Sequence, residues 1–149
     1  MAEVLFYHLE RQPLEQVLPT LLERSLSRGW RVVVQSSDPE RRDALDAHLW
    51  IYREDSFLPH GTTRDGHAEL QPIWLTTEDE NPNKANVRFL VDGATVADLS
   101  SYERVVYLFD GHDQGSVEAA RARWKEARSG GHEVTYWRQN QNGAWEKKA

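Results

Sequence analysis

The sequence predicts a single α/β domain over residues 1–149, built on a mostly parallel sheet. Two observations predict this class. From the start of the chain, short apolar runs rich in β-branched and aromatic residues alternate with helix-period segments, in the order strand, helix, strand, helix. No linker and no internal repeat divides the 149 residues, and that length is enough to bury a sizeable core.

Val4-Leu5-Phe6-Tyr7-His8 reads as a buried first strand. Leu14 to Arg28 repeats apolar residues at 14, 17, 18, 21, 22 and 26, a helical period. Pro19 inside that pattern either kinks the helix or marks its start, and Gly29 ends it. Trp30 to Ser36, around Val32-Val33-Val34, is the second strand. Ser37-Asp38-Pro39-Glu40 offers a cap, a proline for the first turn and an acid behind it, and so opens a helix that runs to Trp50.

The rhythm then breaks. Trp50 to Gln71 contains Pro59, Gly61 and Gly66 and reads as a long ordered loop, of a length that is often functional. Ile73 to Thr76 is a third strand, Glu78 to Lys84 a turn, and Val87 to Val91 a fourth strand. Val96 to Leu99 reads as a short strand or a helical turn, and Arg104 to Phe109 as a fifth strand. Ser116 as N-cap and Gly130-Gly131 as terminator bound a late helix, which Glu133 to Arg138 follows as the last strand. Residues 139–149 read as a polar tail, relieved only by Trp145.

Composition narrows the function. The net charge of −6 argues against broad, unspecific DNA binding, so any link to nucleic acid is local or made through another protein. The chain has no cysteine, which excludes disulfides, thiolate nucleophiles and cysteine-based zinc sites and suits a reducing cytoplasm. Glu3 stands where a basic leader would, and no apolar run reaches ~18 residues, so neither a signal peptide nor a membrane span is expected.

Chemical motifs are sparse. The first strand leads into Leu9-Glu10-Arg11-Gln12 and the second into Gln35-Ser36-Ser37-Asp38, neither with a glycine for a phosphate loop. Gly61 and Gly66 have Walker spacing, but His67-Ala68 follow where Lys-Ser/Thr is required. The six histidines form no H-E-x-x-H pair, so no metal is expected. Asp110, His112 and Asp113 follow a buried strand, where open α/β sheets place ligands, and a histidine between two acids can act as a general base. The plainer reading of those residues is a turn and a helix cap. A small hydrolase or transferase at this loop is the alternative function.

The late helix carries the better signal. Residues three and four apart share a face, so Val117, Ala120 and Trp124 stack as an apolar stripe. Arg121, Lys125 and Arg128 run along its edge, with Arg123 round the back. The plain reading is a solvated surface helix. The sharper one is a site for an acidic peptide end, with cations for carboxylates and the ring for one apolar side chain. A second surface is suggested between Leu49 and His60, where large apolar and aromatic residues either fold into the core or face a partner.

These stretches together resemble the chi subunit family of bacterial DNA polymerase III. The resemblance rests on Phe6-Tyr7-His8-Leu9, Gly29-Trp30-Arg31-Val32-Val33-Val34, Leu45-Asp46 with Leu49-Trp50, and Ser56-Phe57-Leu58-Pro59-His60. It continues with Arg121, Arg123-Trp124-Lys125 and Trp145. It implies a three-layer α/β/α, Rossmann-like fold that has lost its phosphate loop, and a non-catalytic role without cofactors. It also implies binding to the acidic C-terminal tail of the single-stranded-DNA-binding protein, and so a link to the clamp loader. Arg121 and Lys125 match positions that hold the tail's carboxylates, Trp124 the ring that packs on its last side chain, and Phe109 the apolar pocket wall. Arg128 is added by helical spacing alone. A second subunit, psi, is expected at Trp50, Phe57 and Pro59. Loops 61–71 and 78–84 depart from the family pattern.

Overall fold

The structure is a computed structural model, and it describes residues 2–51 and 59–148. Eight strands form one sheet in the order β3-β4-β2-β5-β6-β1-β7-β8. They are β1 (Glu3–Leu9), β2 (Val32–Gln35), β3 (His60–Gly61), β4 (Ile73–Thr76), β5 (Val87–Leu90), β6 (Arg104–Asp110), β7 (Glu133–Gln139) and β8 (Trp145–Lys147). The helices are α1 (Leu14–Ser27), α2 (Pro39–Ile51) and α3 (Gln114–Ser129). Every strand pairing is parallel except that of β7 with β8, so the expected mixed α/β class with a mostly parallel sheet is what forms.

The layers follow from the pleat, because successive side chains of a strand point to opposite faces. Leu5, Tyr7 and Leu9 join Leu14, Leu18 and Leu22 of α1 and Leu45 and Leu49 of α2 in one core. Val4 and Phe6 join Val105, Tyr107, Ala120 and Ala127 in a second core under α3. Two helices therefore cover one face and α3 covers the other. β1 and β6 are neighbours, in register from Glu3 with Arg104 to Leu9 with Asp110, and their crossovers leave to opposite faces. Open α/β sheets place a crevice at such a point.

Four local readings change. Pro19 lies inside α1, which starts before it at Leu14, so the proline removes one internal donor without setting the boundary. The expected loop between α2 and β4 contains the two-residue strand β3, which extends the sheet edge beside β4. Val96 to Asp98 is neither strand nor helix, and the helical turn begins only at Leu99, as a 3-10 turn over Leu99–Ser101, with the Asp98 carboxylate accepting from the Ser100 amide at 3.0 Å. The tail is not free, because a turn closed by the Gly143 amide on the Asn140 carbonyl returns Trp145 to the sheet. Trp145 then packs edge-on against Tyr7, with ring centroids 4.8 Å apart. An indole in a polar tail has apolar area to bury, and the antiparallel β7–β8 hairpin beside β1 is what buries it.

Candidate functional site

Asp113, and not Ser116, caps α3: its carboxylate accepts from the Ser116 amide at 3.0 Å and the Ser116 hydroxyl at 2.6 Å. Those two donors hold the Asp113 carboxyl below its ordinary range. At the far end Gly130 and Gly131 stop the helix and turn the chain directly into β7. Ala120 and Ala127 are buried against the sheet, and Val117 and Trp124 are half-buried beside them.

The edge of this helix is positive. Arg121, Lys125 and Arg128 are exposed, and none has a carboxylate partner among the described residues. Arg123, by contrast, is tied to Glu126 at 3.1 Å. The Arg128 guanidinium lies 4.7 Å from the centre of the Trp124 ring, a cation–π contact. Beside that ring is a hollow of about 600 Å³, lined by Trp124, Arg128, Gly131, His132 and Val134. The indole Nε1 of Trp124 is buried without an acceptor.

His132 and Val134 were not expected in the site. The signal for them was the Gly130-Gly131 break, which leaves too little chain for β7 to start anywhere but beside the end of α3. His132 is fixed there, its Nδ1 accepting from the Ala2 amide at 3.0 Å.

Phe109 lies elsewhere on the same face. It is half-buried on β6, its ring 5.1 Å from His8 and 6.0 Å from Tyr136, and it does not line the hollow beside Trp124. The Tyr136 hydroxyl is hydrogen-bonded to Nδ1 of His8, while Nε2 of His8 faces the Glu10 carboxylate at 3.0 Å. Burial lowers the His8 pKa, and Arg138 lowers it further against the opposing field of Glu10. Arg121 also adds its field at both His8 and Tyr136, so the first cation of the helix serves the Phe109 cluster and the last serves Trp124. The site residues thus form two adjoining groups along one helix.

A larger cleft, about 830 Å³, opens where β1, β5 and β6 end. Nucleotides occupy this place in folds that keep a phosphate loop. Here the start of α3 is already taken by the Asp113 carboxylate, and Arg41 is held by Glu15 at 3.0 Å and Asp92 at 3.2 Å. Asp110 accepts from the His112 amide at 2.9 Å, and Nε2 of His112 is bonded to the Glu10 carbonyl at 2.7 Å. Asp110, His112 and Asp113 therefore make the contacts of a turn and a cap. Among the described residues no group of three histidine or acidic side chains is placed to hold a metal ion.

At the end of α2, Trp50 is 52 % exposed and its ring centre lies 4.7 Å from that of His60. Pro59 is half-buried next to it in sequence, and Phe57 lies outside the described residues. No helix among the described residues is long and apolar enough to cross a membrane.

Residues 1–135 match the family model described as the DNA polymerase III chi subunit, HolC. The chain is also similar to a protein of Rickettsia prowazekii (strain Madrid E) named "Probable DNA polymerase III subunit chi", with 26 % identity over 109 residues. That stretch is 73 % of this chain and 66 % of the relative, just under two thirds of its length.

Proposed function

Because the chain belongs to the DNA polymerase III chi subunit family, we propose that it is an accessory, non-catalytic subunit of that polymerase in the cytoplasm. It links the clamp-loader complex to the single-stranded-DNA-binding protein by holding that protein's acidic C-terminal tail. In that role its link to DNA runs through that partner, and it uses no cofactor.

The observation that carries this reading is the edge of α3. Three cations without a carboxylate partner among the described residues, Arg121, Lys125 and Arg128, stand on one side of a helix in a chain of net charge −6, next to an indole and a hollow. Cations meet carboxylates, and a half-buried ring beside an empty space meets an apolar side chain. Exposed charge pairs contribute little each and are screened by salt, and a disordered tail must be ordered on binding. Binding is therefore moderate and salt-sensitive. The exposed Trp50 and the half-buried Pro59 are the described members of the expected second docking surface, toward the clamp loader through psi.

The test is fluorescence anisotropy with two labelled peptides of the tail, one ending in a free carboxylate and one amidated. Binding of the first, weakened severalfold by amidation and by salt, supports the reading. Equal binding of both peptides, or none, refutes it.

A further inference from the structure

A second positive hollow lies on the opposite face of the sheet, away from α3. It has a volume of about 460 Å³ and sits between the C-terminal half of α1 and the face of β1, β6 and β7 that α1 packs on. That size falls within the range of small-ligand pockets, about 300–1,000 Å³.

Its charge is out of keeping with the molecule. Arg24, Arg28, Arg104 and Lys147 line it, against the single acid Glu3. Glu3 is bonded to Arg104 at 2.6 Å. Arg24, Arg28 and Lys147 have no carboxylate partner among the described residues. The C-terminal end of α1 carries a partial charge of about −0.5, which one cation in its last turn would offset. The other positive charges are left facing the space.

The walls are aromatic. Tyr7, Phe89 and Trp137 line the hollow. Trp30 flanks it, with the Arg28 and Arg104 guanidiniums 4.9 Å and 5.1 Å from its ring centre. Arg104 keeps its Nε buried without an acceptor. Burial raises the Tyr7 hydroxyl's pKa, and the opposing fields of Arg104 and Arg24 place both cations near it. Arg24 and Arg28 are four residues apart and so share one side of α1. Guanidinium forks match phosphate oxygens, and ring faces match bases.

We propose that this hollow binds a nucleotide, with the phosphate on Arg24, Arg28 and Lys147 and the base against the half-buried Trp137. The same chemistry is presented by a free mononucleotide and by one unit of a single strand. The site is separate from the tail-binding edge and does not depend on it.

The test uses the whole chain, a short fluorescein-labelled oligothymidine, and competition by thymidine monophosphate or inorganic phosphate. Binding at low salt is expected. The Arg24→Ala/Arg28→Ala double variant weakens it at least about tenfold and lowers the salt slope by about 0.7 per lost cation. Lys147→Ala, on an exposed strand, acts in the same direction, and circular dichroism confirms that each variant folds. Competition by the monophosphate assigns the site to free nucleotide, and its failure assigns it to a strand. Absence of binding overturns the proposal. So does competition by inorganic phosphate equal to that by nucleotide, or a loss that follows Arg121→Ala and leaves the Arg24/Arg28 variant unaffected. Tail-peptide binding stays unchanged in the Arg24/Arg28 variant.

Discussion

The Arg128 guanidinium sits over the Trp124 ring, 4.7 Å from its centre, at the lip of a hollow closed by His132 and Val134. The cation both holds the indole in place and supplies charge at the opening. An exposed contact of this kind contributes about 0.5–1 kcal/mol. Arg128→Ala should therefore weaken tail-peptide binding only a few-fold, while urea unfolding shifts by less than about 1 kcal/mol. Anisotropy and a denaturation curve on the same variant check both.

Among the described residues Arg88 is the largest fully buried side chain, and it has no carboxylate partner there. It donates instead to Gln35 Oε1 at 2.5 and 3.1 Å, to the carbonyls of Glu78 and Glu80 at 2.8 and 2.6 Å, and to the Tyr102 hydroxyl at 2.9 Å. Removing it strands several buried acceptors at once, each costing about 1–3 kcal/mol. Arg88→Met should lose about 3 kcal/mol or more by urea denaturation. The 78–80 segment should open with it, seen as faster amide exchange there.

His8 gives a dependence on pH. Its folded pKa is lowered below 6.5, first by burial and then by Arg138. The unfolded chain therefore binds more protons just below that value, and stability rises with pH there. The contribution is complete above about pH 6.5 and is lost as pH falls toward the folded pKa. Melting temperature should decline on acidification from neutrality, before the carboxylate range is reached. His8→Gln should flatten that slope.

Gly111 is needed for its lack of a side chain. A Cβ there would overlap Nε2 of His8 and press on Glu10. The ring cannot yield easily, since Tyr136 holds its other nitrogen. Gly111→Ala should cost about 1–3 kcal/mol, as overpacking does. Its pH profile should change with that of His8.

Much of this was legible in the residues because local pattern and global fold agree. Val32-Val33-Val34 and Val105-Val106 lie in the sheet interior, where a period of two is not needed to announce a strand. Val117, Ala120 and Trp124 repeat at helical spacing because one side of α3 must meet the sheet, and Ala127 continues that side. What was not legible depends on contacts distant in sequence. β3 is two residues long and exists through pairing with β4. Trp145 joins the sheet by pairing with Gln139, but the ring it packs on is Tyr7, more than a hundred residues earlier. Arg88 falls in the run Val87 to Val91, whose pattern shows only a strand; its burial depends on two carbonyls of the turn before it. In the candidate site, spacing could group Arg121, Trp124, Lys125 and Arg128, but it could not show that Phe109 belongs with His8 and Tyr136 or that His132 closes the hollow.

The central claim is that cations and an indole on α3 capture the acidic end of another chain. Isothermal titration of the free-carboxylate tail peptide into Arg121→Ala and Trp124→Ala, with folding checked by circular dichroism, tests it most directly. Affinity should fall about tenfold or more in each variant, at least about 1.4 kcal/mol. Two folded variants that bind the peptide as tightly as the unaltered chain would contradict it.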